Sequence, residues 1–445
     1  MSSLIQRVFL AATVVLIAGE AGAQLLPSVG VPALPVGGLP TSNLPLVGPT
    51  LDSVLTQPDV REAAIAPTLN SVGGLPESVV EAGPPALLEL RKLRLRELIR
   101  EYPRELDVDP SGQPIRRGIL IVIDPDPASL QAAVRAGFTP IADERDPTLN
   151  LRTVTVAVPQ GLSTRDGLKR LHSSAPALQA DFDHLFEPAG GDLLPFAGPL
   201  ANNAAPGGGV RIGMIDGGVG SHPSLGGASI EQSGFAGKPQ PTGHGTAVAS
   251  LIVGSQGPFR GVARGASLFV ADVYGGSRAA GSASAIARAL AWLSAKHPQV
   301  INISLVGPRN ELVERAINAV RARGSRVVAA VGNDGPAAPP QFPASYPGVV
   351  SVTAVDGHGR ALPEAGKPVH LDFAAPGADM AAALPGKGYA RVRGTSFAAP
   401  LATARLAISG SVERLATEAR RGNGRVGRGI VCGACRIDPK SVGAK

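Results

Sequence analysis

The sequence predicts an α/β protein: a parallel sheet with helices on both faces, preceded by a smaller α+β unit. Three observations carry this expectation. From Val210 to about Gly410, short apolar runs alternate with helix-compatible runs, the pattern of buried strands joined by crossover helices. From about Gly118 to Phe186 the order of elements reads β-α-β-β-α-β. Stretches rich in proline and glycine stand before and between the two regions, as separators do.

The chain of 445 residues has room for two or three domains. Its 44% hydrophobic and 17% charged content suits a globular core with a lightly charged surface. Aromatic residues make up only 4%, so that core must be built from Ala, Val, Leu and Ile. The net charge of +7 is spread along the chain, with small concentrations at Arg91–Arg104 and Arg420–Arg428. They form no aromatic-interleaved basic patch, so they read as solvated surface arginines and not as a nucleic-acid site.

Residues 1–23 read as a signal peptide. Arg7 precedes an apolar run, Val8–Ala18, and Ala21-Gly22-Ala23 offers a small-x-small cleavage site. The run is too short for a membrane-spanning helix. Export to the periplasm or the cell exterior is expected, with no transmembrane helix in the mature protein. Residues 24–85 are rich in Leu, Pro, Val and Gly. Frequent proline argues against helix and interior strand, so a low-complexity linker is expected.

Residues 86–186 are expected to hold an amphipathic helix and the small unit. In Ala86–Tyr102, Leu88, Leu95 and Ile99 recur at helical spacing among Glu and Arg. Strands follow at Ile119–Ile123, Thr139–Asp143, Leu151–Val158 and Ala180–Phe186, with helices at Ala128–Ala136 and Thr164–Ser173, the latter behind a Ser163 cap. This order is the ferredoxin-like one. Residues 187–209, rich in Pro, Gly, Asn and Ala, are expected to be an exposed linker, and 210–410 a catalytic domain. The tail, 411–445, carries Cys432 and Cys435. No second cysteine pair or nearby His completes a zinc site. A local disulfide in an oxidising compartment and a pair of free thiols both fit.

Three motifs stand at element boundaries: Asp216-Gly217-Gly218 ending a strand, Gly243-His244-Gly245-Thr246 opening a helix, and Gly394-Thr395-Ser396-Phe397-Ala398-Ala399-Pro400 opening another. Sites in open α/β sheets gather outside the carboxyl ends of the strands, so these loops can converge. A hydroxyl, an imidazole and a carboxylate are the groups that nucleophilic acyl transfer needs. Each residue also has a plainer role. Asp216 and Asn333 suit turns, His244 a loop and Ser396 a helix cap. Their joint occurrence favours catalysis.

The order Asp, His, Ser and the motifs Asp-x-Gly, Gly-His-Gly-Thr and Gly-Thr-Ser-x-Ala-x-Pro resemble those of the subtilisin family. The resemblance covers roughly Val210–Gly410. It implies a subtilisin-like fold there and a serine endopeptidase with Asp216, His244 and Ser396 as its catalytic triad. Ala329-Ala330-Val331-Gly332-Asn333 resembles the family's strand that leads to an oxyanion-hole Asn, so Asn333 and the Ser396 N–H are expected to hold the oxyanion. Ser304, Leu305, Val306 and Gly307 resemble the edge segment that pairs with extended substrate, with Val306 where the family has Gly. Gly243 and Gly245 are expected to leave room beside the imidazole.

The resemblance further implies protein or peptide substrates and an N-terminal unit that serves as an intramolecular inhibitor, removed by a cut within 187–209. A permanent domain is the competing reading. No cofactor is expected; calcium is possible, but no site can be traced. His222 is read as structural, and Asp272, Asp334, Asp356 and Asp372 as surface or capping groups. The alternative function is a non-catalytic or zymogen-locked binding protein on the same scaffold.

Overall fold

The computed structural model describes residues 51–56, 58–65, 75–189 and 209–444. The expected signal peptide, part of the 24–85 stretch and residues 190–208 lie outside them.

The described part of the expected linker is partly helical, which corrects that reading. It holds α1 (Leu51–Val54), α2 (Pro58–Ile65) and α3 (Glu77–Glu81), followed by α4 (Gly83–Glu101). Pro58 opens α2, Pro76 caps α3, and Pro84 and Pro85 lie in the first turn of α4. A missing N–H is harmless at such positions, because the first turn has no intrahelical acceptor for it. The buried stripe of α4 is Leu87, Leu90, Arg91, Leu95 and Leu98. It lies about one position away from the expected stripe, and it carries an arginine inward.

An antiparallel sheet follows, built from β1 (Leu106–Val108), β2 (Pro114–Ile123), β3 (Thr139–Asp146), β4 (Leu151–Ala157) and β5 (Gln179–His184). Strand β2 pairs with β1, β4 and β5, and β4 pairs with β3. Helices α5 (Pro127–Arg135) and α6 (Thr164–Ser174) connect them, capped by Asp126 and Ser163, whose side chains accept from Ser129 N–H and Asp166 N–H. Alternation along the strands sends Leu120, Val122, Val154 and Val156 into one core, with Ala133 and Leu171 of the helices. Ile121, Ile123 and Leu151 join the core of the larger unit instead. The ferredoxin-like unit is thus docked by its open sheet face. Next in the chain is β6 (Glu187–Pro188).

The larger unit holds β7 (Arg211–Asp216), β8 (Ser229–Gly234), α7 (Gly243–Val253), a hairpin of β9 (Ser255–Gln256) and β10 (Phe259–Arg260), β11 (Ser267–Asp272), α8 (Ala283–Ala295), β12 (Val300–Ile303), β13 (Leu305–Val306), α9 (Glu311–Ala322), β14 (Arg326–Ala330), β15 (Val350–Val355), β16 (Phe373–Pro376), a hairpin of β17 (Met380–Leu384) and β18 (Lys387–Val392), α10 (Thr395–Ser409) and α11 (Val412–Thr417). Seven strands form a parallel sheet in the order β16-β15-β14-β12-β7-β11-β8. Helices α7 and α10 pack together, with α10 across the sheet's centre, while α8 packs with α9 and touches β7 and β11. Every residue of β12, β15 and β16 is buried, as strands covered on both faces must be.

The tail belongs to this fold, so the boundary at 410 is too early. Leu415, Val431 and Ile437 lie in the main core, and Val431 N–H donates to the Ala374 carbonyl of β16 at 2.8 Å. Cys432 is joined to Cys435 in a disulfide, with Cα atoms 5.1 Å apart. No helix among the described residues is long and apolar enough to cross a membrane.

Candidate active site

Asp216 is the last residue of β7 and His244 the second of α7. Thr242 caps α7, its hydroxyl accepting from Gly245 N–H at 3.0 Å, which sets the imidazole at the helix entrance. His244 Nδ1–H donates to the Asp216 carboxylate, 2.8 Å from Oδ1 and 3.0 Å from Oδ2. Both side chains are 1% exposed. A Cβ at Gly245 would lie 2.2 Å from the Gly217 carbonyl oxygen. The glycine therefore admits the backbone of the Asp216 loop, and this corrects the expectation that it makes room for the imidazole.

Ser396 lies in the first turn of α10, behind Gly394, whose φ of 137° suits only glycine. Pro400 has no N–H to bond the Ser396 carbonyl one turn back. The Ser304 hydroxyl donates to that carbonyl instead, at 2.9 Å. Asn333, just beyond β14, accepts from Thr395 N–H at 3.0 Å through Oδ1. Its amide nitrogen is thereby turned toward the Ser396 turn. Among the described residues, His244 Nε2 and Ser396 Oγ are buried without a hydrogen-bond partner. Such orphaned atoms call for an explanation.

The expected linker does not begin at residue 187. Instead, the chain continues from β5 into the groove beside these residues. Strand β6 pairs antiparallel with β13, Pro188 opposite Leu305 and Glu187 opposite Val306. Ala189 N–H donates to the Ser304 carbonyl at 3.0 Å. The Ala189 carbonyl accepts from the Ser396 N–H at 3.3 Å and from the Asn333 amide. Three residues earlier, Phe186 N–H donates to the Gly281 carbonyl at 2.7 Å, and Tyr274 Oη–H donates to the Phe186 carbonyl at 2.8 Å. The Phe186 ring is fully buried and lies against Gly307, where a Cβ would come within 2.6 Å of it. Ser304, Leu305, Val306 and Gly307 all border this segment.

The remaining carboxylates divide. Asp183 of β5 accepts from the N–H and hydroxyl of Ser284 at the start of α8, both at 2.9 Å. Asp181 accepts from Glu311 N–H at the start of α9, at 2.9 Å. Burial pushes both carboxyls up, against the pull of these helix-terminal donors. Asp272 and Asp334 are buried, so neither is a surface group; of the two, Asp272 does act as a capping group, while Asp334 pairs with arginines. Asp272 accepts from the N–H groups of Gln240, Tyr274 and Gly275. Asp334 is held by Arg91 and Arg94 of α4, so these two arginines are not solvated surface groups either. Asp356 and Asp372 do bind nearby turn and strand backbone. His222 Nε2–H donates to the Gly388 carbonyl at 3.1 Å, and burial lowers its pKa. No cluster of three or more metal-ligating side chains occurs among the described residues.

The structure thus gathers Asp216, His244, Asn333, Ser396 and residues 304–307 at one rim of the sheet. Tyr274, Gly281, Phe186 and Ala189 were not singled out in the sequence. No motif marks the last two in the sequence, because a segment added as a strand is held through its backbone groups, which any residue supplies.

Comparison with known proteins bears on the family and the fold. The Subtilase family model matches residues 207–419. Subtilisin Savinase of Lederbergia lenta is 36% identical over 212 residues, covering 45% of this chain and 77% of that protein. An alkaline protease of Alkalihalobacillus alcalophilus is likewise 36% identical over 212 residues, but the match covers 54% of its length. Among solved structures, fervidolysin from Fervidobacterium pennivorans, a keratinolytic enzyme related to subtilisin, has a TM-score of 0.59 at 18% identity. That alignment covers 77% of this chain and 63% of fervidolysin, and it is a likeness of fold.

Proposed function

Since the chain belongs to the subtilase family of serine proteases, we propose that Ser396, His244 and Asp216 are its catalytic triad and that its first substrate is its own bond after Ala189. Asp216 holds His244 Nδ1–H and leaves the Nε2 lone pair free to take a proton. Ser396 Oγ attacks the carbonyl carbon as its proton passes to Nε2. The oxyanion gathers the Ser396 N–H and the Asn333 amide. His244 then protonates the departing amine, and water attacks the acyl-enzyme by the reverse proton route. Every catalytic group in these steps is a side chain or backbone N–H of the chain, and water is the second nucleophile.

One observation carries this reading. The Ala189 carbonyl accepts from the two oxyanion donors, the Ser396 N–H and the Asn333 amide. Substrate would bind as 186–189 does, as an added strand against β13. Residues up to Ala189 then form an inhibitory prodomain, and the uncut chain is latent because its cleft is filled. Export completes the proposal, and the Cys432–Cys435 disulfide suits an oxidising compartment.

The test is intact-mass and N-terminal analysis of the purified chain and its Ser396→Ala variant. A new N-terminus at Gly190 in the wild type, absent from the variant, is expected. The same cut in Ser396→Ala, or fluorophosphonate labelling that survives the substitution, overturns the assignment.

A further inference from the structure

The ferredoxin-like unit does not close tightly on the helices beneath it. A cleft of about 420 Å³ remains between Ile121, Leu149 and Leu151 on one side and Ala287, Ala291 and Trp292 of α8 on the other. A different element, outside that sheet, brings buried ion pairs to the catalytic unit. Helix α4 lies outside the β-α-β-β-α-β order, yet it follows the cleft-filling segment from end to end. At the Ala189 end, Leu87 packs on Gly335 and Arg91 Nε donates to Asp334 Oδ2 at 3.0 Å. Arg94 pairs with the other oxygen, Oδ1. At the Phe186 end, Leu98 packs with Ala279, and Glu101 pairs with Arg278 at 3.2 Å.

The first of these contacts is buried. The side chains of Arg91, Arg94 and Asp334 are 8%, 13% and 7% exposed. Arg91 also donates to Gln113 Oε1 at 2.9 Å and to Gln341 Oε1 at 3.4 Å. Two arginines one helical turn apart thus share a single carboxylate. Asp334 directly follows Asn333, so the contact clasps the loop that supplies an oxyanion donor. Burying three charges is costly unless they are mutually paired. If α4 lifts away, all three need water, so the arrangement suits the docked state alone.

We infer that Asp334, with Gly335 and Gln341, is a docking site on the catalytic unit for a helix that presents two arginines one turn apart. In this chain α4 fills it and retains the N-terminal piece after the bond following Ala189 is cut. The inference rests on the proposed self-cleavage and adds a second hold, independent of the 186–189 segment. Activity then appears when α4 lets go, and not when the bond breaks.

The full-length chain tests this. After self-cleavage, release of the N-terminal piece is followed by size exclusion, by the fluorescence of the single tryptophan, Trp292, and by hydrolysis of a small chromogenic peptide. Loss of one side of a buried charge pair acts on the dissociation rate. The double variant Arg91→Gln/Arg94→Gln should therefore release the piece at least about tenfold faster than wild type. Asp334→Asn should do the same from the other side. The triple variant should be little faster than either, because all three side chains share one contact. Should the double variant fail to fold, Asp334→Asn alone still reads the contact. Wild-type release rates in folded, cleaved variants overturn the inference. If no cut occurs after Ala189, the proposed function fails first. The contact is then read in the uncut Ser396→Ala chain, where Arg91→Gln/Arg94→Gln should abolish hydrogen-exchange protection of α4; unchanged protection rejects it.

Discussion

The backbone N–H of Ser396 donates to the carbonyl oxygen of Ala189 at 3.3 Å, across more than two hundred positions of sequence. With the Asn333 amide on the same oxygen, one carbonyl meets two convergent donors. A ground-state carbonyl gains modestly from such a site, whereas a tetrahedral oxyanion gains much more.

Asn333→Ala removes one of these donors. The expected loss is in kcat, about 10²–10³-fold, or roughly 3 kcal/mol, with KM nearly unchanged. That magnitude is carried over from subtilisin, where removing a side-chain oxyanion donor has such a cost. Steady-state kinetics on a peptide ending in Phe-Glu-Pro-Ala before the cut checks it. A loss confined to KM would mean that Asn333 only positions the ground state. Because Asn333 Oδ1 also accepts from Thr395 N–H, Asn333→Asp, which keeps the acceptor and loses the donor, is the control.

The Phe186 ring is buried against Gly307. Burying a phenylalanine side chain contributes about 2 kcal/mol, so replacing Phe by Ala at that peptide position should lower kcat/KM roughly thirtyfold. Gly307→Ala puts a methyl 2.6 Å from the ring's position. In that variant the advantage of Phe over Ala should largely vanish. Parallel assays of the two peptides on the two proteins decide it, and an unchanged Phe-to-Ala ratio rejects Gly307 as the wall of this pocket.

Asp183 links docking to pH. Burial raises its carboxyl, while Ser284 N–H, the Ser284 hydroxyl and the fields of Arg116 and Arg288 pull it down. A carboxyl raised on docking takes up a proton between its ordinary value, about 3.9, and its docked value. Its contribution to docking is therefore fully present below the ordinary value and is lost as pH rises through the raised one. The cleaved N-terminal piece should be held more tightly under mildly acidic conditions than at neutral pH. Asp183→Asn, which keeps an acceptor without the charge, should flatten this part of the profile. Dissociation rates across the acid-to-neutral range measure it, and an identical profile in the variant would exclude Asp183 as the source.

The Cys432–Cys435 disulfide closes a loop with a sequence separation of 3. In the chain-entropy model a closure this short contributes about 2 kcal/mol. Reduction, or Cys432→Ser/Cys435→Ser, should lower Tm by a few degrees and speed proteolysis of the tail that pairs with β16. Melting curves with and without reductant test this, with coincident curves as the contrary result.

Much of the site was legible in the sequence because local chemistry demands particular residues. Gly394 takes a backbone angle closed to other residues, and Pro400 frees a carbonyl that Ser304 must satisfy. The apolar runs of β7, β12 and β14 announce strands buried on both faces. The burial of Arg91, Arg94, Asp272 and Asp334 had no such signal, since a charged residue reads as exposed until its partner is known.

The residues alone thus marked the main strands and helices of both units and the side chains that could serve acyl transfer, because helix caps, strand periodicity and glycine geometry are local properties; α1–α3, β8 and β16–β18 carried no such mark. Only the tertiary structure decided that residues 186–189 lie in the groove as a strand, that Ala189 meets the oxyanion donors, and that α4 clasps Asp334. Those pairings join segments tens to hundreds of residues apart, and their energy comes from burial and hydrogen bonding that exist only once the sheet has brought the segments together.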